Sequence, residues 1–389
     1  MFKNIFCWFV LLNLIFCSSI ILKSEETVMG YQNDPLSSKF SLTNTPLQQN
    51  QKDPEIHFGE AGRLKFGLRT QFKYAYSKSE NTHDIMIRRT RLKFEGSILK
   101  GTKFKVEIKS DDAGRAGKTN KTAVEDISLF LNFFEPNIVV RFGLYDAPFS
   151  RDSLTSDSKL LFMDRSDISE GYHSEGLADN AFGMEFFGLI SDHLEYHVGI
   201  FDNDKLGTQS TQLMPMARLV GHILDSGAWT NGEYRATHPD GDKNILNVGM
   251  SIGYLGSINT SEDTYNLTGY EMDLFAAFKM GLSFQAEYGK VLKRKYESGL
   301  SDQNSDGWFV QAGYRIPWRK DNGHIELAYR IADYDPFAWE DPSINKKHSF
   351  GLNYYVLSHN FKIQADYTLI DRIDGPNDGV FQIQIQIDF

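Results

Sequence analysis

Apolar and polar residues alternate along much of the chain, and the C-terminal stretch VFQIQIQIDF (380–389) shows this pattern most clearly. From Phe381 onward every second residue is apolar, and the residues between are Gln or Asp. Near the start of the patterned region, LKFGLRTQFKYAY (64–76) separates Leu, Phe and Tyr from Lys, Arg and Gln in the same way. A period of two predicts β-strands with one apolar face and one wet face.

The alternation recurs in 16 segments, about one for every 20 residues, which suits strands of about ten residues plus a connection. The segments are 64–76, 85–98, 102–109, 124–134, 137–145, 181–189, 193–201, 213–223, 245–255, 268–279, 281–291, 307–316, 323–332, 348–357, 360–369 and 379–389.

The connections between these segments alternate in length. Short ones such as LKGT (99–102) are followed by long ones such as SDDAGRAGKTNKTA (110–123), as in an outer-membrane barrel with short turns at one end and long loops at the other. Residues 224–244 form a long connection where a short turn is expected, which leaves either a long periplasmic insertion or a slip in the strand count.

We therefore predict an all-β fold, a transmembrane antiparallel β-barrel of about 16 strands. The last strand would close the barrel against the first, which leaves no open edge. Its apolar residues would face lipid (Ile383, Ile385, Ile387 and Phe389), and its polar residues would face a water-filled interior (Gln382, Gln384, Gln386 and Asp388).

The N-terminus predicts export. Residues 1–22 combine Lys3, an apolar run and small residues, as a signal peptide does. A signal anchor and a lipoprotein acylated on Cys17 remain alternatives. Residues 23–62 are polar and turn-rich and predict a poorly ordered periplasmic leader, so the barrel would span residues 63–389.

The composition of the chain argues against several kinds of site and partner. Both cysteines lie within residues 1–22, so the mature chain has no thiol for a disulfide, a metal ligand or a nucleophile. The net charge of −10 makes nucleic acid an unsuitable partner. We find no catalytic motif, and we expect no catalytic residues, no metal site and no cofactor.

Basic residues cluster on the inward positions of the first strands. A basic wall of this kind would concentrate anions in the lumen, although a wet barrel interior also tolerates charge without any selective role. These inward bases are Lys65, Arg69, Lys73, Arg89, Arg91, Lys93, Lys103, Lys105 and Lys109, with Arg141 on the fifth strand. Later strands supply acids instead, namely Glu271, Asp273, Glu287, Glu326 and Asp366.

Three stretches resemble the phosphate-selective porin O and P family of Gram-negative outer membranes. They are IRRTRLKFEG (87–96), VVRFGLYDAPFSRDSLTSDSKLLFMDRS (139–166) and GLNYYVLSHNFKIQADY (351–367). The resemblance implies a 16-stranded homotrimeric porin whose longest loop, after the fifth strand, folds into the lumen as a constriction. In this sequence that loop would be residues 146–180.

The resemblance also implies that Arg88 and Arg89 are pore bases, although strict alternation would send Arg88 outward unless the strand has a bulge. On the loop, Arg151, Lys159 and Arg165 stand among Asp152, Asp157, Asp164 and Asp167, which opposes a phosphate site built from lysines. We expect the anion-binding residues to be Arg69, Arg88, Arg89, Arg91, Lys93, Lys103, Lys105, Arg141, Arg151 and Lys159.

The function that we predict is passive diffusion of small anions, with phosphate as a candidate, across the outer membrane of a Gram-negative-type bacterium. The alternatives are a non-selective porin, in which the bases serve gating or lipopolysaccharide contact, an outer-membrane enzyme such as a phospholipase, and an adhesin that acts through its long loops. The expected partners are small anionic solutes, membrane lipid, lipopolysaccharide and two further copies of the chain.

Overall fold

Sixteen long strands close into one antiparallel barrel in the computed structural model. The structure describes residues 54–59, 62–115, 122–202, 212–224, 244–259, 264–295, 303–316, 323–336, 344–372 and 377–389. The predicted signal peptide and most of the predicted leader lie outside these residues.

The barrel strands match the predicted segments one for one. A short strand, β1 (Glu55–Phe58), precedes them. The barrel strands are β2 (Gly62–Ser77), β3 (Thr82–Leu99), β4 (Thr102–Ala113), β5 (Thr122–Phe134), β6 (Ile138–Asp146), β7 (Asn180–Ser191), β8 (Leu194–Asp202), β9 (Met214–Leu224), β10 (Ile245–Asn259), β11 (Thr264–Ala277), β12 (Leu282–Lys295), β13 (Gln303–Arg315), β14 (His324–Asp335), β15 (Ile344–Leu357), β16 (Phe361–Arg372) and β17 (Asp378–Asp388). The prediction of 16 transmembrane strands is therefore confirmed.

The connection at residues 224–244 does not disturb the count. β9 and β10 pair directly, with Leu224 opposite Leu246, so no strand has been missed or doubled there. Residues 225–243 of this connection lie outside the described part of the chain.

Closure occurs between the last strand and the first, as the C-terminal pattern predicts. β17 pairs with β2 from Val380 opposite Ser77 to Asp388 opposite Arg69. Phe389 then exchanges two backbone hydrogen bonds with Leu68, at 2.7 and 3.0 Å. Every barrel strand therefore has two neighbours, as a lipid environment requires of backbone groups.

Side chains of β17 divide between the two faces as predicted. Ile385 and Ile387 are exposed on the outside, whereas Gln384 and Gln386 are buried inside. No helix in the described part of the chain has the length and apolar character needed to cross a membrane.

The leader differs from the prediction at its end. Residues 23–62 were expected to be poorly ordered, yet β1 lies within that range and pairs with the start of β2, from Glu55 opposite Lys65 to Phe58 opposite Gly62. Its two large apolar side chains, Ile56 and Phe58, supply the β-forming residues that the polar composition of the surrounding segment concealed.

Candidate functional site

The constriction loop, residues 147–179 between β6 and β7, folds into the barrel as predicted. It contains two helices, α1 (Arg151–Leu154) and α2 (Asp167–Ser174), separated by a short 3-10 turn. Serine hydroxyls cap both helices, because Ser150 Oγ accepts a hydrogen bond from Ser153 N and Ser166 Oγ accepts one from Ser169 N.

Inward side chains of distant strands hold this loop across the lumen. Ser150 Oγ donates to Glu287 of β12 at 2.6 Å, and Met163 N donates to Asp366 of β16 at 3.4 Å. Three inward side chains also donate to loop carbonyls: Asn353 to Leu161 at 2.9 Å, Lys362 to Leu160 at 3.2 Å, and Gln386 to Ser158 at 3.3 Å.

Apolar packing fixes the loop against one half of the wall. Phe149, Ile168, Tyr172 and Leu177 of the loop join a buried cluster with inward apolar residues of β8 to β14. Close packing of this kind excludes water from that half of the lumen. The wall on the other side of the loop, formed by β2 to β6, is lined by charged side chains instead.

An open cavity of about 410 Å³, which we call the inner cleft, lies on that side. It reaches toward the short-turn end of the barrel, since Phe66, Asn360 and Phe389 line it. Seven bases line the cleft (Lys65, Arg69, Arg91, Lys93, Lys105, Lys159 and Arg165). Seven acids do so as well (Glu95, Glu107, Glu125, Asp126, Asp146, Asp157 and Asp388).

Basic residues of the barrel strands, in and beside the inner cleft, form ion pairs with acidic residues of other strands. Asp388 accepts from Arg69 at 2.8 Å and from Lys93 at 3.1 Å. Asp126 accepts from Lys105 at 3.0 Å and from Arg141 at 2.8 Å. These pairs satisfy charges that burial would otherwise destabilise by several kcal/mol each.

Loop acids pair with the arginines of β3. Asp157 lies 3.1 Å from Arg89, 3.6 Å from Arg91 and 2.5 Å from Arg165. Asp164 lies 2.7 Å from Lys73 and 3.5 Å from Arg88 (the distances are from carboxylate oxygen to side-chain nitrogen).

A bulge brings Arg88 inward beside Arg89. Gln71 pairs with Arg89 and Phe72 pairs with Ile87, so Arg88 is the extra residue of β3. Its guanidinium donates to Asp112 at 2.9 Å. The bulge therefore turns two consecutive arginines toward the loop, which strict alternation cannot do.

The ten predicted anion-binding residues do not all meet. Arg69, Arg91, Lys93, Lys105 and Lys159 line the inner cleft. The guanidiniums of Arg88 and Arg89 contact the loop acids instead, and Arg141 stacks on Tyr145 with 3.7 Å between the guanidinium carbon and the ring centre.

Two predicted residues lie apart from this group. Lys103 pairs with Glu135 near the short-turn end, at 3.6 Å. Arg151 belongs to the loop but packs on the ring of Phe275 of β11, at 4.2 Å from the ring centre, so it faces the opposite wall.

Several site residues were missed from the sequence. The carboxylates Glu107, Asp111, Glu125 and Asp126 pair with the basic wall. Glu107 shares the inward alternation of Lys103, Lys105 and Lys109, and this was the signal that could have identified it. The buried guanidinium of Arg218 donates to Glu271 at 2.9 Å and also pairs with Asp273, which neutralises part of the predicted acidic wall.

Nearby basic residues lower the pKa values of two carboxyl groups on the constriction loop. Burial would raise the pKa of the Asp157 carboxyl, but Arg165, Arg89 and Arg91 hold that pKa well below its usual range. Lys73 and Arg88 depress the pKa of Asp164 in the same way, against the effect of burial. The neighbouring bases therefore favour the ionised form of both loop carboxyls.

The sequence of this chain matches a known protein family. The model for "Phosphate-selective porin O and P" matches residues 63–212 and 243–380, more than half of the sequence. The chain belongs to this porin family. The family and the fold indicate a channel rather than an enzyme, located in a bacterial outer membrane.

One relative is similar in sequence, and two solved porin structures are similar in fold. An uncharacterized protein of Aquifex aeolicus (strain VF5) is 25% identical over 401 residues, which cover 91% of this porin and 93% of that protein. The anion-selective porin from Comamonas acidovorans is similar in fold, with a TM-score of 0.56, 12% identity, and coverage of 84% of this chain and 100% of that one. Salmonella typhi OmpF, in complex with daunomycin, gives a TM-score of 0.59 at 11% identity, with coverage of 86% and 100%.

Replacing Asp157 by Asn should make this porin more selective for anions. The change removes one negative charge from among Arg89, Arg91 and Arg165. A unit charge at about 10 Å in water is worth about 0.4 kcal/mol, which favours the anion and disfavours the cation by about twofold each, so the ratio of anion to cation permeability should rise about fourfold. The reversal potential in a KCl gradient across a planar bilayer measures this ratio.

Asp192→Asn removes the same charge from the exposed turn between β7 and β8 and serves as the control. Equal permeability ratios for the two variants would contradict a role of Asp157 in the field of the cleft.

His173 should make the stability of this porin depend on pH. Burial and the nearby Arg165 lower the pKa of this imidazole to about 4. Because the folded pKa lies below the unfolded value of about 6.5, stability is fully present above pH 6.5 and declines as the pH falls toward 4. The urea midpoint of unfolding should therefore fall less between pH 7 and pH 4.5 in His173→Gln than in the native chain.

The exposed His57 supplies the control variant, His57→Gln, which should keep the native pH profile. Identical profiles for the native chain and His173→Gln would refute the assignment.

Proposed function

We propose that this porin lets small anions, phosphate among them, diffuse passively across the outer membrane through the inner cleft. The observation that carries this proposal is that Lys105 of β4 is more exposed in the lumen than its two carboxylate partners. The side chain of Lys105 is 28% exposed, against 8% for Asp126 and 10% for Glu107. At this point of the cleft a solute meets the ammonium group of Lys105 before it meets Asp126 or Glu107, which favours anions.

A non-selective porin is the second candidate. The equal numbers of acids and bases in the inner cleft favour it, because they leave little net charge to choose between ions. A divalent phosphate needs several convergent donors, and the carboxylates compete for the same nitrogens. Block of the KCl current by millimolar phosphate separates the two candidates, since a non-selective porin would show none.

Lys105→Gln should reduce anion selectivity. The variant removes the partly exposed ammonium but leaves Asp126 and Glu107 in place, so the ratio of anion to cation permeability should fall about fourfold. The matched control is Lys103→Gln, which removes a lysine from the same strand at the rim, outside the lining of the inner cleft. If Lys105→Gln leaves the reversal potential unchanged, the anion proposal fails.

We also propose that three copies assemble through the outer face of β3 to β7. Interfacial Tyr and Trp anchor a barrel at the membrane surfaces, and outward residues such as Tyr288, Trp308, Tyr329 and Tyr354 serve β12 to β15 in this way. Among β3 to β7 the only residue of either type is Tyr145, which is buried inside. A face without such anchors suits protein contact, and one neighbour, OmpT of Vibrio cholerae, is described in a trimer form.

Val106→Trp on β4 should therefore convert the trimer to monomers, because a bulky side chain disrupts a close-packed interface. Val310→Trp on β13 introduces the same ring on the face that carries aromatic anchors and should leave the trimer intact. Native mass spectrometry of the detergent-solubilised protein distinguishes the species. A trimer in the first variant with monomers in the second would place the interface elsewhere.

Lipopolysaccharide is the partner that we propose for the long-loop end. Lys290, Arg294 and Lys346 alternate with inward residues of β12 and β15, so they face outward near that end. Their charges suit the phosphates of lipopolysaccharide in the outer leaflet of a Gram-negative membrane. The adhesin alternative depends on loops whose central parts, 296–302 and 337–343, lie outside the described residues.

A further inference from the structure

A second cavity, of about 150 Å³, lies on the other side of the constriction loop. We call it the outer pocket. It is nearer the long-loop end, because Ser349 lies in the half of β15 that follows a long loop and Thr368 lies opposite it on β16. Arg165 lines both this pocket and the inner cleft, so the loop separates the two.

Arg330 of β14 brings a buried charge to the outer pocket, and no carboxylate of the described residues lies within ion-pair distance of it. Its side chain is only 5% exposed and its guanidinium lies between the rings of Phe162 and Phe309, at 4.6 and 5.5 Å from the ring centres. It donates to Gln311 at 2.8 Å and to the carbonyl of Asp164 at 3.0 Å, both neutral acceptors. Its Nη2 atom is buried and has no hydrogen-bond partner among the described residues.

Two hydrogen-bond acceptors that line the pocket, Asp366 and Gln382, are also poorly satisfied. Asp366 is 8% exposed, and the one hydrogen bond recorded for its carboxylate within the described chain comes from Met163 N, at a long 3.4 Å. Gln382 lies directly opposite Asp366 on β17. Its Oε1 atom is buried and accepts no hydrogen bond from any described residue.

The other charges that line the pocket are paired. Asp164 pairs with Lys73, Asp167 with Lys347 at 2.6 Å, and Arg165 with Asp157. The pocket is therefore left with one buried cation, Arg330, and one buried anion, Asp366. They attract each other and other nearby charges, but neither lies within ion-pair distance of an opposite charge among the described residues. Unpaired buried charges of opposite sign are costly, and a ligand that carries both charges would compensate both.

We propose that the outer pocket binds small zwitterions of the α-amino acid type. The ligand carboxylate accepts hydrogen bonds from Arg330 Nη2, and the ammonium group donates to Asp366 and to Gln382 Oε1. The hydroxyls of Ser349 and Thr368, 2.8 Å apart, line the same space and favour a short, polar ligand. The volume admits a ligand with a side chain as small as that of glycine or alanine.

Titration calorimetry of the full-length folded barrel in detergent tests this proposal with three probes. L-alanine carries both charges, propionate only the negative one and ethylammonium only the positive one. Alanine should bind at least tenfold more tightly than either probe with a single charge, since each of those leaves one buried charge unpaired. Equal binding of propionate and alanine, or no binding of any probe, would overturn the proposal.

Two variants provide a second test, because each should come to prefer a different singly charged probe. A misfolded protein would lose binding of all probes and would not change its preference. Asp366→Asn should bind propionate more tightly than alanine, and Arg330→Gln should bind ethylammonium more tightly than alanine. Asp371→Asn and Arg63→Gln remove exposed charges away from the pocket and should keep the native order of affinities. Variants of Asp366 and Arg330 that kept the native order would refute the assignment.

Discussion

Closure of the strand ladder is the constraint on which the rest of this porin depends. Lipid offers no hydrogen bonds, so a spanning sheet has to satisfy every backbone group by itself. The pairing of β17 with β2, from Val380 opposite Ser77 to Asp388 opposite Arg69, meets that need. It also fixes the inward and outward faces of all sixteen strands, since a shift by one residue would exchange them.

Inside the closed wall, charge has to be paired wherever the loop excludes water. Asp157 and Asp164 of the loop neutralise the bases of β2 and β3, and Glu287 of β12 holds its backbone on the far side. The loop is therefore tied to opposite walls by groups of opposite sign. The field that a passing solute meets is what remains after this pairing, which is why the exposure of Lys105 matters more than the total of seven bases.

The two cavities on either side of the loop differ in how complete this pairing is. In the inner cleft, Asp388 and Asp126 each pair with two bases. In the outer pocket, Arg330 and Asp366 are both buried, yet neither forms a close ion pair within the described part of the chain. Selection at the outer pocket and permeation through the inner cleft would then depend on different residues, so the two properties could change separately.

Sequence periodicity determined the barrel, the number of its strands and the side to which each residue points. A period of two is a local property of the backbone, so it needs no knowledge of distant contacts. The bulge at Arg88 and the inward course of the loop came from the family resemblance, because alternation alone contradicts the first and does not address the second.

Tertiary structure alone decided which charges meet. Arg151 and Lys159 are eight residues apart on one loop, yet they face opposite walls. The surroundings of Arg330 are formed by Phe162, Phe309 and Asp366, which lie on three other segments. Ion pairs between distant segments depend on loop path and barrel closure, and neither is written in local spacing.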